Sequence, residues 1–307
     1  MNKNLTKKAL VPAIAMVLAS VIALSGVTYA WFTTGTTATI ENLDVNVMTA
    51  NGIQVSLDAV NWKNTISGED IKNAILDATD YPERLIQYPT GEIAPVSTAG
   101  NVTNGQLEMF LGGYNDDGTL YSKAIAEVQG TSNVNYVAFD LFFQTQTEQT
   151  LSFLVGEGNS EVKSIDYATG ADSNVLTSSA VRVALLPMGT KATPAEAQAL
   201  KGDGTVKIWE PNASTHVDTK NVGEIDYEGF AKAFAAENEK NLGTNVASVS
   251  TEKSTFELVK LTPGITKVRV YIWLEGQDVD CVNKISNADF RTILSFNVPK
   301  AATTPNN

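Results

Sequence analysis

Few residues in this chain have both the type and the spacing to do chemistry. Among 307 residues there is one histidine, His216. That excludes an H-E-x-x-H zinc motif and any multi-histidine metal site. A Ser-His-Asp triad would have to use His216, whose place between Pro211 and Asp218 reads as a surface or loop-packing position. No G-x-S-x-G, P-loop or G-x-G-x-x-G occurs. The single cysteine, Cys281, permits no intrachain disulfide and reads as a buried small hydrophobe.

Carboxylates are the remaining candidates. Asp278 and Asp280 form a D-x-D pair after an alternating run, so both fall on one side of an extended chain. That arrangement suits a hard cation such as Ca²⁺; it suits a solvated turn equally, which is the preferred reading. Asn115-Asp116-Asp117-Gly118 and Asp203-Gly204 match hairpin turn chemistry better than the twelve-residue calcium loop. Nothing singles out a carboxylate pair for glycoside hydrolysis. The sequence therefore gives no catalytic residue, no cofactor and no confident metal site, and leads away from an enzyme.

The elements around these residues are mostly strands. Leu43, Val45 and Val47 alternate with Asn42, Asp44 and Asn46, which predicts a half-buried strand over 37–49. Asn51-Gly52 predicts a hairpin, with 53–57 as the return strand. Further strands are expected at 107–112, 119–126, 134–145, 150–155, 180–187, 206–209, 256–261, 267–275 and 291–298. The short link 146–149 predicts that 134–145 and 150–155 are antiparallel neighbours, and Pro263-Gly264 predicts a turn. Residues 81–103, with Pro82, Pro89 and Pro95, read as loop.

Three helical insertions are expected. Ser67 caps one over 67–78, with Glu69 and Asp70 in its first turn. Thr193-Pro194-Ala195-Glu196 opens another over 193–200 as a capping box. The third spans 226–242 and stops at Gly243. Strands at both ends and in the middle, without β-α alternation, predict an all-β fold: a jelly-roll-like antiparallel β-sandwich with short helical insertions in its loops. One domain over 31–299 is expected, followed by a frayed polar tail at 300–307.

The first thirty residues read differently. Lys3, Lys7 and Lys8 precede a stretch from Ala9 to Ala30 that carries no charge and is long enough to cross a bilayer. An uncleaved anchor and a secretory signal both fit. Thr28 and Ala30 supply small residues for a cut between Ala30 and Trp31, which favours the signal. Net charge is -12, and removal of residues 1–30 would make it three charges more negative. Such a chain is repelled by nucleic acid and by anionic lipid, so no nucleic-acid partner is expected, and membrane contact only through the signal segment before cleavage.

The junction itself, Gly26 to Phe32 (GVTYAWF) after a lysine-led apolar segment and before the Thr/Asn-rich strand 40–47, resembles the TasA/camelysin family of secreted bacterial matrix proteins. The apolar strand 293–298 near the C-terminus is similar in style. The resemblance covers about the first fifty residues well and the rest in strand order and composition. It implies a jelly-roll sandwich cut by a dedicated signal peptidase, secreted to the cell surface or extracellular matrix, and assembled with copies of itself into fibres, with an accessory matrix protein as a further candidate partner; the short lysine-led n-region and the absence of disulfides suggest the exterior of a Gram-positive type bacterium. It further implies that the mature N-terminal arm, residues 31–47 with Trp31, Phe32, Ile40, Leu43, Val45 and Val47, completes the sheet of the next subunit. Some members are metalloendopeptidases; this chain has no zinc motif to carry that activity. Against the fibre subunit stands a monomeric surface adhesin or ligand-binding β-sandwich module, with Asp278 and Asp280 as its candidate Ca²⁺ ligands.

Overall fold

The computed structural model describes residues 37–49, 53–77, 79–82, 84–114, 120–131, 135–166, 177–202, 205–211, 251–276, 278, 281 and 288–298. The fold is all-β: two six-stranded sheets pack face to face, and a third, three-stranded sheet covers the outer face of one of them.

The first sheet runs β13 (Phe256–Leu261), β8 (Gln149–Leu154), β15 (Ala288–Val298), β1 (Ala38–Thr49), β3 (Thr65–Ser67), with β9 (Glu161–Asp166) also on β15. The second runs β12 (Thr251–Glu252), β11 (Lys207–Trp209), β10 (Val181–Lys191), β14 (Gly264–Leu274), β7 (Tyr136–Thr145), β2 (Val55–Ser56). Pairing is antiparallel except between β1 and β15 and between β11 and β12. The third sheet is β4 (Ser97–Thr103), β5 (Gln106–Tyr114), β6 (Leu120–Ile125).

Period-two alternation builds the core. Leu43, Val45, Leu151, Phe153, Leu294, Phe296 and Val298 come from the first sheet. Val137, Phe139, Leu141, Phe143, Val183, Leu185, Val268, Val270, Ile272 and Leu274 come from the second. All are fully buried in one cluster. The Phe296 ring bridges the sheets, 5.1 Å from Phe143 and 5.4 Å from Phe153 between ring centres. The opposite face of the second sheet is buried as well. Tyr136, Ala138, Ala184, Tyr271 and Trp273 pack against Val96, Leu107 and Met109 beneath the third sheet.

The helices obey their sequence signals. At Gly68–Leu76 the Ser67 hydroxyl accepts from the Asp70 N–H, and the Asp70 carboxylate accepts from the Ser67 N–H. Thr193 and Glu196 make the same exchange at Pro194–Gln198, with Pro194 where no N–H is needed. A further short helix, Thr177–Ala180, leads into β10.

Two expectations about strand pairing and one about a loop are corrected. β8 does not neighbour β7: it pairs with β13 and β15 in the first sheet, while β7 pairs with β14 and β2 in the second. Two amphipathic strands joined by a short link can bury their apolar faces by lying side by side or by facing each other across a core. Here the link crosses the sandwich. Likewise, β2 is no hairpin return for β1; it joins Phe142 and Phe143 of β7, and β1 takes β3 as its antiparallel neighbour. Residues 97–103 are a strand where a loop was expected. Its sequence, STAGNVT, lacks apolar alternation because Ser97 and Thr98 are buried as polar groups; Thr98 Oγ1 donates to the Glu108 carbonyl at 2.6 Å. The Asn51-Gly52, Asn115–Gly118 and Asp203-Gly204 turns, the 226–242 helix, His216 and the 300–307 tail lie outside the described residues.

Candidate functional site

β1 is the first described strand, and it occupies an interior position in its sheet. One edge pairs in parallel with β15 from Ala38↔Ala288 to Thr49↔Val298. The other edge meets β3 only at Asp44, Val45 and Asn46. Beyond that pairing, the Val47 N–H donates to the Asn64 carbonyl at 3.2 Å, and Ala38 exchanges two hydrogen bonds with Ile93 at 3.2 and 2.7 Å. The Gly68 end of a helix closes over the middle of the strand: a Cβ there would lie 3.3 Å from the Leu43 carbonyl oxygen.

Leu43 and Val45 are fully buried, Ile40 is buried, and Val47 packs half-buried against the core. Ile40 and Leu43 have opposite parity in an ideal strand. Both reach the core because the β1–β15 register shifts between Ile40 and Asn42, a bulge that inserts one residue. Burying such side chains contributes about 1.5–3 kcal/mol each. The strand seen here therefore completes its own subunit's sheet. Trp31, Phe32 and the Ala30–Trp31 cleavage junction lie outside the described residues.

The Asp278 carboxylate is not in a solvated turn. Asp278 is 1% exposed, and its Oδ2 lies 2.5 Å from Arg182 Nη2, which also reaches Glu210 Oε1 at 3.0 Å. Arg182 is itself fully buried, and its Nη1 donates to the Ser179 and Val181 carbonyls. The cation at Asp278 is thus a guanidinium, which corrects the solvated-turn reading of that carboxylate. Asp280 lies outside the described residues. Among the described residues, no group of three His, Cys, Asp or Glu is placed to hold a metal ion. Cys281 is buried in the core, as expected.

A second charged cluster, unseen in the sequence reading, lies on the outer face of the second sheet. Arg269 on β14 stands opposite Asp140 on β7, with Nη1 2.8 Å from Oδ1, and its Nη2 pairs with Glu127. Lys267, also on β14, lies 3.2 Å from Asp140 Oδ2. The Tyr81 hydroxyl is 3.0 Å from Asp140 Oδ2, 3.0 Å from Lys267 Nζ and 3.0 Å from the Gln198 carbonyl. Lys267 Nζ donates further to the carbonyls of Gln198 and Leu200. Two cations and two anions balance in a layer that is largely buried, with Glu127 at its edge beside a surface hollow.

The balance sets the ionisation. Burial alone would raise the Asp140 pKa, but the Arg269 and Lys267 charges outweigh it and hold the carboxyl below its ordinary value. Burial pushes the Lys267 ammonium down, against the pull of Asp140. Arg269 is held above its ordinary value by Asp140 and Glu127 despite its burial. Burial raises the Tyr81 and Tyr271 phenols.

No protein-family model matches this chain, and no curated protein matches it. What the site can do is accordingly read from its own geometry. The first described strand fills an interior position of its own sheet, paired on both edges. The two ionic clusters are closed, with each charged head against a partner. A surface hollow of about 330 Å³ lies beside the third sheet, lined among others by Leu107, Met109, Ile125, Glu127 and Tyr136, and another of about 230 Å³ lies beside Asp58, Lys63 and Asp70.

Proposed function

We propose that this protein is a non-enzymatic structural subunit, secreted by a bacterium and assembled with copies of itself into extracellular matrix fibres by addition of its N-terminal strand. One observation carries the reading. β1, the first strand among the described residues, fills an interior slot between β15 and β3 and brings Ile40, Leu43 and Val45 into the core. A subunit without it would expose the N–H and C=O groups of β15 together with the apolar floor beneath. The same strand from a neighbour satisfies both needs with the same contacts. The resemblance of the 26–47 junction to the TasA/camelysin family supports export, cleavage after Ala30 by a dedicated signal peptidase, and assembly at the cell surface or in the matrix.

A reversible lock tests the strand exchange. Asp44 and Ile293 are opposite each other in the β1–β15 ladder. Cysteines at both positions, in a Cys281→Ser background, allow β1 to be tied to whichever β15 it meets. Purified protein beginning at Trp31 is expected to form filaments visible by electron microscopy. Oxidation of those filaments should give a ladder of linked subunits on a non-reducing gel, whereas oxidation before assembly should block filaments until reductant is added. Filaments whose subunits each link only to themselves would overturn strand exchange.

The intrachain seat of β1 favours a second reading, a self-contained surface module that stays monomeric and uses the cavity at the third sheet for a ligand. Stable monomers under all assembly conditions would select it.

A further inference from the structure

The buried contact between Lys267 and Asp140 sets an amine beside a carboxyl. Their heads are 3.2 Å apart, and both side chains are almost wholly buried. They project from adjacent, hydrogen-bonded strands, β14 and β7, whose ladder runs unbroken from Gly264↔Thr145 to Trp273↔Tyr136. The backbone therefore keeps the two groups together at high effective concentration. The Tyr81 and Phe142 rings stand against the ammonium, at 5.6 and 5.9 Å from Nζ to ring centre, and burial disfavours its charged form.

We propose that Lys267 and Asp140 form an intramolecular isopeptide bond, a covalent cross-link between β14 and β7. The Tyr81 hydroxyl is placed as the proton relay. It accepts from Lys267 Nζ and donates to Asp140 Oδ2, both at 3.0 Å, so a proton leaving the ammonium is replaced by one arriving on the carboxylate. The ion pair is the favoured state, since Arg269 and Lys267 hold Asp140 ionised, and the relay supplies the minor neutral pair from which the amine attacks Cγ of the carboxylic acid. Arg269 Nη1, 2.8 Å from the other oxygen, holds the negative charge that develops on Oδ1. The Nζ–Cγ bond forms, the Cγ–Oδ2 bond breaks, and Oδ2 leaves as water with one proton relayed from nitrogen and a second released from it. Ammonium and carboxylate become amide and water, with no oxidant, reductant or co-reactant. The amide N–H that remains can still donate to the Gln198 carbonyl, which Lys267 already contacts.

The consequence is a staple in a chain that cannot make a disulfide within itself, since Cys281 is its only cysteine. The link would close the chain from Asp140 to Lys267 and tie two central strands of the second sheet.

Intact-mass spectrometry of the purified full chain is the direct test. The expected mass is lower by one water than that calculated for the purified chain from its determined N-terminus. After denaturation and digestion, trypsin should fail to cut after Lys267, and a branched species joining the peptides that contain Lys267 and Asp140 should be found. Lys267→Met and Asp140→Ala should each restore the full mass. Asp140→Asn should lose ammonia in place of water. Tyr81→Phe should leave a slowly closing mixture. Wild-type protein of full mass, cut after Lys267 even after prolonged incubation, overturns the proposal without any variant needing to fold. So does a water loss that maps within one linear peptide while Lys267 remains cleavable.

Discussion

Val45 and Leu294 stand opposite each other in the parallel β1–β15 ladder, and neither side chain reaches solvent. The pair joins the N-terminal strand to the C-terminal one at the centre of a sheet. A charge at Val45 would have no partner in that layer. Val45→Asp is expected to destabilise the fold by more than about 3 kcal/mol, read as a lower urea midpoint, while Asp44→Lys on the exposed side of the same strand should stay within about 0.5 kcal/mol.

Arg182 shares one guanidinium nitrogen between Glu210 and Asp278 inside the protein. Replacing it removes the cation from two buried carboxylates. Arg182→Met should cost about 3–5 kcal/mol in chemical denaturation. Adding Glu210→Gln and Asp278→Asn to that variant should recover part of the loss. A triple variant no better than Arg182→Met would show that the cost lies in packing and not in stranded charge.

Gly264 begins β14 with φ of 130°, and a Cβ there would sit 2.5 Å from the Lys191 carbonyl oxygen. Both the backbone angle and the close strand approach demand glycine. Gly264→Ala should cost well over about 1 kcal/mol. Gly91, around which a Cβ meets nothing within 4 Å, provides the contrast: Gly91→Ala should be neutral within about 0.5 kcal/mol by thermal melting.

Asp70 couples helix capping to pH. Burial alone would raise its pKa, but hydrogen bonds from Lys63 Nζ and the Ser67 N–H and hydroxyl outweigh this and hold it below the ordinary carboxylate value. A depressed folded-state pKa means that the unfolded chain takes up the proton first as pH falls. The stabilisation is therefore fully present above the unfolded value of about 4 and is lost as pH drops through the lower folded value. The stability difference between wild type and Asp70→Asn should shrink over that window. A constant difference from neutral pH to below about pH 3 would count against the carboxylate's role.

Local physics made much of the fold legible from residues alone. Alternation located β1, β7, β10, β14 and β15, because a strand's side chains point to opposite faces at every second residue. Ser67 and Thr193 announced their helices because a cap is satisfied within four residues of itself. Residues 97–103 carry no such signal, because Ser97, Thr98 and Ala99 are buried by the layer they join and not by an apolar alternation of their own.

The sequence by itself determined that the chain is all-β, where most strands lie, which faces carry the core, and that catalytic histidine or disulfide chemistry has almost nothing to work with. Only the tertiary structure decided which strands pair. β7 and β8 present similar apolar faces, and nothing local tells side-by-side pairing from opposition across a core. It also decided the fate of the charges. Asp278 meets Arg182 across 96 positions and Arg269 meets Asp140 across 129. Such partners are chosen by strand register and by burial, which a linear spacing does not contain.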